Sequence, residues 1–232
     1  MSFPKIPGAK LYLVGGCVRD RLLGRESKDD DYVVVTDLSF QELCDAIQDN
    51  GGEIFLAKPQ FFTIRAMVDG KAIDIVYPRT ESGYADGRHP DAVAVASTLA
   101  EDALRRDFTI NAMYMDEDGN VYDPLDGMGD LHEGVIRAKF PVRQFTDDSL
   151  RIFRAIRFSV QLAFEIEPLT FSAMSKCAPL IRGVSPERIR EELNKALIID
   201  PLMTMLLVEK LNLEEYIKAK GLHFEVSLRQ VR

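Results

Sequence analysis

A short stretch near the start of the chain places the strongest limit on what this protein can be. The apolar residues 11–14 end in a glycine pair, Gly15 and Gly16, and a helix-like segment follows up to residue 24. A glycine pair lets the backbone approach a phosphate closely, because no side chain stands in the way. Asp29 and Asp31 then lie two residues apart, and a strand would place both carboxylates on one face. This combination suits a magnesium-dependent phosphoryl-transfer site.

Each part of that stretch also has an ordinary structural explanation. Glycine pairs are common in turns, and aspartate pairs are common on protein surfaces. The dinucleotide-binding pattern G-x-G-x-x-G is absent, so this is not the usual cofactor-binding loop. The two features together, with Arg19 and Asp20 between them, favour a function over a chance turn.

Composition excludes several classes of protein. The chain has 232 residues, 46% of them hydrophobic, which is enough for a substantial core. No apolar run approaches the roughly 18 residues of a membrane span, and no secretory signal is evident. The three cysteines are widely scattered and predict neither a disulfide framework nor a zinc site. We therefore expect a cytoplasmic protein without a membrane partner.

The charge distribution is uneven. The net charge of −8 argues against a non-specific nucleic-acid coat protein. Residues 1–146 carry a net −9, whereas residues 147–232 carry a net +1 with local arginine clusters. This pattern is compatible with an RNA partner but does not require one.

Hydrophobic periodicity predicts an α+β protein. Strands are expected over residues 11–14, 31–36, 53–56, 61–68 and 72–77, with a helix over 40–50 and a hairpin turn at Asp69 and Gly70. We predict a loop over 79–90, a helix over 100–112, a hairpin over 113–123, a glycine-rich irregular segment over 123–134 and a last short strand over 135–138. Beyond residue 141 the pattern predicts only helices, over 147–164, 169–177, 186–199, 201–211 and 213–218.

A second motif, residues 105–112, has the sequence R-R-D-F-T-I-N-A. Its ordinary explanation is a helical turn with a solvated basic pair. On a helix, however, Asp107 and Asn111 would share a face, with Arg106 beside them. An arginine with an aspartate and an asparagine can bind a phosphate and a ribose.

A third motif, residues 147–158, repeats arginine every three residues. An amphipathic surface helix would also carry such charges, and its ion pairs would contribute little to stability. On a helix, Asp148, Arg151 and Arg154 would form a slowly turning stripe, with Arg157 further around. An aspartate accepts hydrogen bonds and an arginine donates them, so the pair can imitate the pairing edge of a base.

Five ordered motifs resemble those of the bacterial-type tRNA nucleotidyltransferases (CCA-adding enzymes) and bacterial poly(A) polymerases, within the polymerase-beta-like nucleotidyltransferase superfamily. Residues 15–31 match G-G-x-V-R-D-x-L-L-G-R-x-x-K-D-x-D, and residues 105–112 match R-R-D-F-T-I-N-A. Three further matches are D-P-x-x-G-x-x-D-L at 123–131, D-x-x-R-x-x-R-A-x-R-F at 148–158 and S-x-E-R-I-x-x-E-L at 185–193.

The resemblance implies both a fold and a reaction. It implies a nucleotidyltransferase head with a small mixed sheet over residues 1–140, an all-helical neck over 141–200 and a partial helical body over 201–232. The implied reaction is transfer of CMP and AMP from CTP and ATP to the tRNA 3′ end, with release of pyrophosphate. Two alternatives stay open: a poly(A) polymerase or partial CC- or A-adding enzyme, and an inactive RNA-binding remnant.

The resemblance also implies roles for individual residues. Asp29 and Asp31 would hold Mg²⁺ as catalytic residues, and Asp74 is either a third carboxylate of that site or a residue of the hairpin. The residues implied to bind the nucleotide's phosphates and ribose are Gly15, Gly16, Arg19, Arg106, Asp107, Asn111, Arg154 and Arg157. Asp148 and Arg151 would recognise the base, and residues 185–193 would brace the helix that carries them.

The chain departs from the family pattern in three places. Asp147 stands where glutamate is usual, and Arg88-His89-Pro90 replaces R-R-P in a segment expected to be mobile. The chain stops at Arg232, whereas full-length members are expected to have a further helical body and a tail that grips tRNA. The three histidines are isolated, so we do not expect the phosphohydrolase domain that some members add.

Overall fold

The computed structural model describes residues 3–27, 30–84 and 90–222, which form two compact units. The first unit contains the described residues of 3–82 and 91–131, and the second contains those of 83–90 and 132–222. The head, neck and body boundaries expected from the family resemblance stay a prediction.

The first unit is built on a sheet with short helices. Its strands are β1 (Ala9–Val14), β2 (Asp31–Thr36), β3 (Glu53–Lys58), β4 (Thr63–Val68), β5 (Lys71–Val76), β6 (Arg79–Ser82), β7 (Ala92–Val95), β8 (Tyr114–Met115) and β9 (Val121–Tyr122). Its helices are α1 (Gly16–Leu22), α2 (Phe40–Asp49), α3 (Leu99–Ala103) and α4 (Gly127–Glu133), the last of which crosses the boundary between the units.

Seven of these strands form one mixed sheet in the order β3-β4-β5-β2-β1-β8-β9. Strand β1 pairs antiparallel with β2 and β8, and β2 pairs parallel with β5. The predicted turn between β4 and β5 is confirmed, with Asp69 and Gly70 both at positive φ. The predicted α+β class is confirmed as well.

Local signals explain helix α2. Ser39 accepts a hydrogen bond from the backbone N–H of Glu42, whose carboxylate accepts one from the backbone N–H of Ser39. This reciprocal cap satisfies two backbone donors at the helix start. Leu43, Cys44 and Ile47 recur at helical spacing and are buried in the core beneath the sheet.

The structure corrects three predictions in the first unit. Residues 100–112 are not one helix, because α3 ends at Ala103 and only Thr109–Asn111 form a further 3₁₀ turn. Between them the extended backbone of Phe108 places its side chain in the core, and this burial overrides helix propensity.

Residues 79–90 are not entirely a loop, because β6 pairs with β7. Part of the glycine-rich segment forms α4, whose first N–H groups donate to the carboxylate of Asp123.

The second unit is mainly helical. Its elements are β10 (Val135–Ile136), α5 (Pro141–Asp147), α6 (Arg151–Leu162), β11 (Glu165–Ile166), α7 (Pro168–Cys177), α8 (Pro186–Leu197), α9 (Pro201–Lys210) and α10 (Glu214–Ala219). Helix α6 packs against α8, and α5 packs against α7. Strand β11 pairs parallel with β10, so the prediction of helices only after residue 141 is wrong.

The predicted helix over 147–164 is also wrong at its start. Helix α5 ends at Asp147, and α6 begins at Arg151. Asp148 lies between them with an extended backbone, at φ −144° and ψ 102°. Asp148 therefore does not belong to the helical stripe of Arg151 and Arg154.

None of the helices in the described parts of the chain is long and apolar enough to cross a membrane.

Gly127, the first residue of α4, offers a test of the packing around the second motif. A Cβ at this position would lie 2.3 Å from the carbonyl oxygen of Thr109. We expect Gly127→Ala to lower the free energy of unfolding by about 2 kcal/mol, because backbone must move to admit the methyl group. Gly183→Ala is the control, since a Cβ there has nothing within 4 Å. Equal urea midpoints for the two variants would contradict this packing.

Candidate active site

The glycine turn lies at one end of the seven-stranded sheet. Gly15 has φ 81° and ψ −137°, a conformation that residues with a side chain rarely adopt. Its N–H donates to the carbonyl oxygen of Met113 at 3.4 Å, and α1 begins at the next residue. A Cβ on Gly15 would lie 3.8 Å from a terminal guanidinium nitrogen of Arg106. The turn therefore lies directly against the second motif.

Arg19 joins the first motif to the second. Its guanidinium is buried and donates to Asn111 Oδ1 at 2.6 Å and to Asp20 Oδ1 at 2.7 Å. Asn111 Nδ2 in turn donates to Asp107 Oδ1 at 3.0 Å. The structure thus brings Arg19, Asp107 and Asn111 together, although the helix expected to align the last two is absent.

A buried carboxylate, that of Asp102, fixes the two arginines of the second motif. Its side chain is 0% exposed. Oδ1 accepts from Arg105 Nε at 2.8 Å and from the backbone N–H of Arg79 at 3.0 Å. Oδ2 accepts from two nitrogens of Arg106, at 2.8 and 3.1 Å, and from the Tyr114 hydroxyl at 2.7 Å. Asp102 therefore holds one side of the Arg106 guanidinium.

These contacts set the charge state of the cluster. Burial alone would raise the pKa of Asp102, but Arg106, Arg105 and the donors from Tyr114 and Arg79 outweigh it and hold that pKa well below its usual range. Burial alone would lower the pKa of Arg106, but Asp102 raises it above its usual value. Burial raises the pKa of Tyr114. The cluster is therefore a buried ion pair with a neutral phenol at neutral pH.

Asp102 is not among the residues predicted from the sequence. The sequence spacing does carry a signal for Asp102. It lies three residues before Arg105 and four before Arg106, which places both arginines within reach on a helical turn.

Asp31 lies at the same end of the sheet as the glycine turn. The antiparallel register places Leu13 opposite Tyr32, so Gly15 and Asp31 come at neighbouring strand ends. Asp31 is exposed and lies opposite Asp74 in the parallel pairing of β2 with β5. Asp29 lies outside the described residues.

Neighbouring arginines engage two other carboxylates there. Arg65 on β4 forms a two-pronged ion pair with Asp74, which lies opposite it on β5, and half of the Arg65 side chain is exposed. Arg21 donates to Asp30 at 2.6 Å. Within the described ranges, no group of three or more His, Cys, Asp or Glu side chains is placed to hold a metal ion.

In the second unit, Asp148 and Arg151 flank the start of α6. Asp148 Oδ1 accepts from the backbone N–H of Leu150 at 3.0 Å, and Oδ2 accepts from Arg188 of α8 at 2.9 Å. Arg151 donates to the carbonyl oxygen of Gln144 at 3.2 Å. Both members of the predicted base-recognising pair are half-buried.

Arg157 makes strong contacts within the second unit. Its Nε lies 2.5 Å from the buried carboxylate of Glu192 on α8, and its guanidinium lies over the ring of Phe158. Arg154 approaches the same carboxylate at 4.0 Å. The structure therefore places Arg157 in the packing between α6 and α8, while its predicted contact with a triphosphate stays a prediction.

Asp102→Asn tests the buried cluster. We expect it to lower the free energy of unfolding at pH 7 by about 3–5 kcal/mol, because it removes the buried counter-charge of the largely buried Arg105 and Arg106. The depressed pKa of Asp102 stabilises the fold above the usual aspartate pKa of about 3.9, and this stabilisation is lost as the pH falls.

The difference in stability between wild type and Asp102→Asn should therefore shrink between pH 5 and pH 3. Denaturant unfolding at several pH values measures it. The control is Asp45→Asn on the exposed face of α2, which should have little effect. A difference that is constant with pH would contradict the assigned ionisation.

Comparison with known proteins places this arrangement in a family. Residues 11–137 match the model of the Poly A polymerase head domain, and residues 163–210 match the "Probable RNA and SrmB- binding site of polymerase A". A CCA-adding enzyme of Lactobacillus johnsonii is 41% identical over 194 residues, which cover 81% of this chain and 46% of that protein. The chain thus spans about half the length of the curated relatives it matches.

Solved structures show the same similarity. The Bacillus stearothermophilus CCA-adding enzyme in complex with CTP aligns with a TM-score of 0.77 and 31% identity, over 89% of this chain and 49% of that one. The Thermotoga maritima CCA-adding enzyme complexed with tRNA aligns with a TM-score of 0.76 and 29% identity, over 94% and 50%. The head-domain model alone matches more than half of the sequence, and the chain therefore belongs to the nucleotidyltransferase family of the poly A polymerase head domain.

Proposed function

We propose that this protein adds CMP and AMP to the 3′ end of tRNA, using CTP and ATP. One observation carries the proposal: the glycine turn, Asp31, Arg106 and Asn111 come from distant parts of the sequence and meet at one end of the sheet. Relatives named CCA-adding enzymes, and solved relatives complexed with CTP or with tRNA, support the choice of substrates.

The first unit supplies the groups that bind phosphate and ribose. Asp102 holds one side of Arg106, and another nitrogen of the same guanidinium lies beside Gly15. This geometry presents a fixed positive charge next to a backbone that has no side chain, which suits a triphosphate. Asp107 and Asn111, held together by a hydrogen bond, provide polar groups for the ribose hydroxyls.

Oxygen ligands at this end of the sheet suit a magnesium ion. Asp31 is exposed there, and we propose that it holds Mg²⁺ together with Asp29. Asp74 would join them only if its ion pair with Arg65 opened, since Arg65 contacts both carboxylate oxygens. When bound, Mg²⁺ favours the deprotonated form of the attacking 3′-hydroxyl and neutralises charge on the leaving pyrophosphate.

The reaction balances without any further reagent. The RNA 3′ oxygen forms a bond to the α-phosphorus of the nucleotide, and the bond from that phosphorus to the bridging oxygen breaks. Pyrophosphate leaves with the electron pair, and the hydroxyl proton passes to solvent. The protein therefore has to position the RNA 3′ oxygen against the α-phosphorus and neutralise the negative charge of the phosphates.

The side chains of Asp148 and Arg151 can explain why cytosine and adenine nucleotides are selected. Cytosine and adenine each present an amino donor beside a ring-nitrogen acceptor, whereas uracil and guanine present a carbonyl beside an N–H. A carboxylate accepts from the amino group, and a guanidinium donates to the ring nitrogen. One pair of side chains can therefore recognise both correct bases.

Two other functions would use the same residues. The name of the matched head domain favours poly(A) addition as a second candidate. The match of residues 163–210 to an RNA-binding region, in a chain that spans half of its relatives, leaves RNA binding without turnover as a third.

Incorporation assays separate these three functions. Each labelled nucleotide is supplied singly with magnesium to tRNA that ends before CC, before A or after A. CCA addition requires CMP on the first substrate and AMP on the second, with no addition to the third. Long A tracts on any RNA would indicate a poly(A) polymerase, and no incorporation at all would overturn both polymerase proposals.

Asp31→Ala tests the assigned acidic residue in the same assay. We expect it to lower incorporation at least 100-fold, because an ion held by this carboxylate stabilises charge in the transition state. Thermal stability should change little, since Asp31 is exposed. Asp37→Ala, an exposed aspartate just after the same strand, is the control and should keep full activity. Wild-type rates in Asp31→Ala would exclude Asp31 from the site.

A further inference from the structure

The register of the sheet places three charged residues side by side in the first unit. Asp31 on β2 pairs with Asp74 on β5, and Asp74 pairs with Arg65 on β4. Residues paired across neighbouring strands point to the same face of a sheet, with Cβ atoms about 5 Å apart. The three side chains therefore form a row of two carboxylates followed by one cation.

The contact between Arg65 and Asp74 can be exchanged for others. Arg65 donates to both carboxylate oxygens of Asp74, while 51% of its side chain and 29% of that of Asp74 are exposed. Ion pairs with this much exposure contribute little to stability, because water solvates the separated charges nearly as well. Since Asp31 and Asp74 repel each other, a cation beside them is favourable. A metal ion can replace Arg65 there if Arg65 gains another anion.

The strand order puts Arg65 and the proposed triphosphate site on different sides of Asp31. Strand β1, which ends at the glycine turn, flanks β2 on one side, and β5 and β4 follow on the other. Arg106 lies beside the glycine turn. In phosphoryl transfer the attacking and leaving oxygens lie roughly in line on either side of the phosphorus. With the triphosphate on the β1 side, the RNA 3′ end has to approach from the side of Arg65.

The surface next to Arg65 suits a nucleotide. Met67 and Ala72 pair with each other, are exposed, and lie two residues from Arg65 and Asp74 respectively. Residues two apart on a strand share a face, so this apolar pair borders the row of charges. A thioether and a methyl group offer contact to a ribose or a base, whereas the guanidinium offers two parallel hydrogen bonds to a phosphate. An inorganic anion would use only the guanidinium.

We propose that Arg65 binds the phosphate on the 5′ side of the last ribose of the RNA, and that this exchange releases Asp74 toward Asp31. Arg65 replaces one anion with another, and the carboxylate of Asp74 becomes available to Mg²⁺. The RNA end and the metal ion therefore bind more tightly together than separately. The inference rests on the proposed nucleotide transfer and on Asp31 as a metal-binding residue.

The first test compares Arg65→Met and Arg65→Lys with wild type on tRNA that ends before CC. We expect Arg65→Met to lower kcat/KM for the tRNA about 10-fold at saturating CTP, because a charged contact to phosphate is lost. At saturating tRNA, kcat/KM for CTP should change little. The slope of log Kd for the tRNA against log salt concentration should become less steep by about 0.7, the value for one phosphate of a single strand. Arg65→Lys keeps a point charge and should lie between Arg65→Met and wild type.

The second test measures metal binding without RNA or turnover. Mn²⁺ stands in for Mg²⁺, because electron paramagnetic resonance detects the free ion. Arg65→Met removes the guanidinium from Asp74, so we expect Mn²⁺ to bind about 3-fold more tightly than to wild type.

Lys71→Met is the matched control for both tests and should match wild type. Lys71 is an exposed cation on the same strand as Asp74. It lies an odd number of residues from Asp74 and therefore on the other face of the sheet.

The outcomes separate the two possible sources of phosphate. A lower kcat/KM for tRNA, a shallower salt slope and tighter Mn²⁺ binding in Arg65→Met support the inference. A loss confined to CTP assigns Arg65 to the triphosphate and overturns it. Unchanged Mn²⁺ binding overturns the exchange, as do equal effects in Lys71→Met. If wild type incorporates neither CMP nor AMP, the proposed function fails first, and the salt slope and the Mn²⁺ comparison still decide on Arg65.

Discussion

The geometry of the first unit depends on one fully buried carboxylate, that of Asp102. Removing a charge from water costs several kcal/mol, and only close partners offset that cost. Asp102 has two arginines, a phenol and a backbone N–H as donors. These donors come from the start of β6, from the turn after α3 and from β8, so a single side chain fixes three parts of the unit relative to one another.

This arrangement gives the two sides of the Arg106 guanidinium different surroundings. Asp102 fixes Arg106, whose guanidinium also lies over the Tyr114 ring, so one side of that cation has a structural role. Its remaining side lies next to Gly15, whose positive φ favours a residue without a side chain. A cation held in this way loses little conformational freedom when it meets an anion, which is the advantage of preorganisation.

Local patterns predicted much of the fold. The predicted Asp69-Gly70 turn follows from chemistry within a few residues and is confirmed, and the Ser39 cap of α2 is equally local. The residues that meet at the glycine turn were named from the motif resemblance, which carries information about distant parts of the chain that periodicity lacks, and their roles stay a prediction. Asn111 is an example, since its partner Arg19 lies 92 residues away.

Other features could not be predicted from local patterns, because tertiary contacts decide them. Burial of Phe108 breaks the helix expected over 100–112, although its residues would tolerate one. Asp148 was placed on a helix because an arginine follows every three residues, yet its partner on α8 lies 40 residues away. Asp102 looks like an ordinary acidic residue in the first turn of a helix until Arg79 and Tyr114 surround it.

The contact between Arg19 and Asn111 has a consequence for how the chain folds. Strand β1 and the glycine turn are synthesised before β8 and the second motif, which follow about a hundred residues later. Contacts between distant residues form slowly, because closing a long loop costs entropy before any contact is made. The sheet can grow by hairpins and β2–β5 pairing in the meantime, and the turn gains its polar neighbours only when β8 joins β1. During synthesis, the corner formed by the glycine turn and the second motif is therefore among the last parts of the first unit to become ordered.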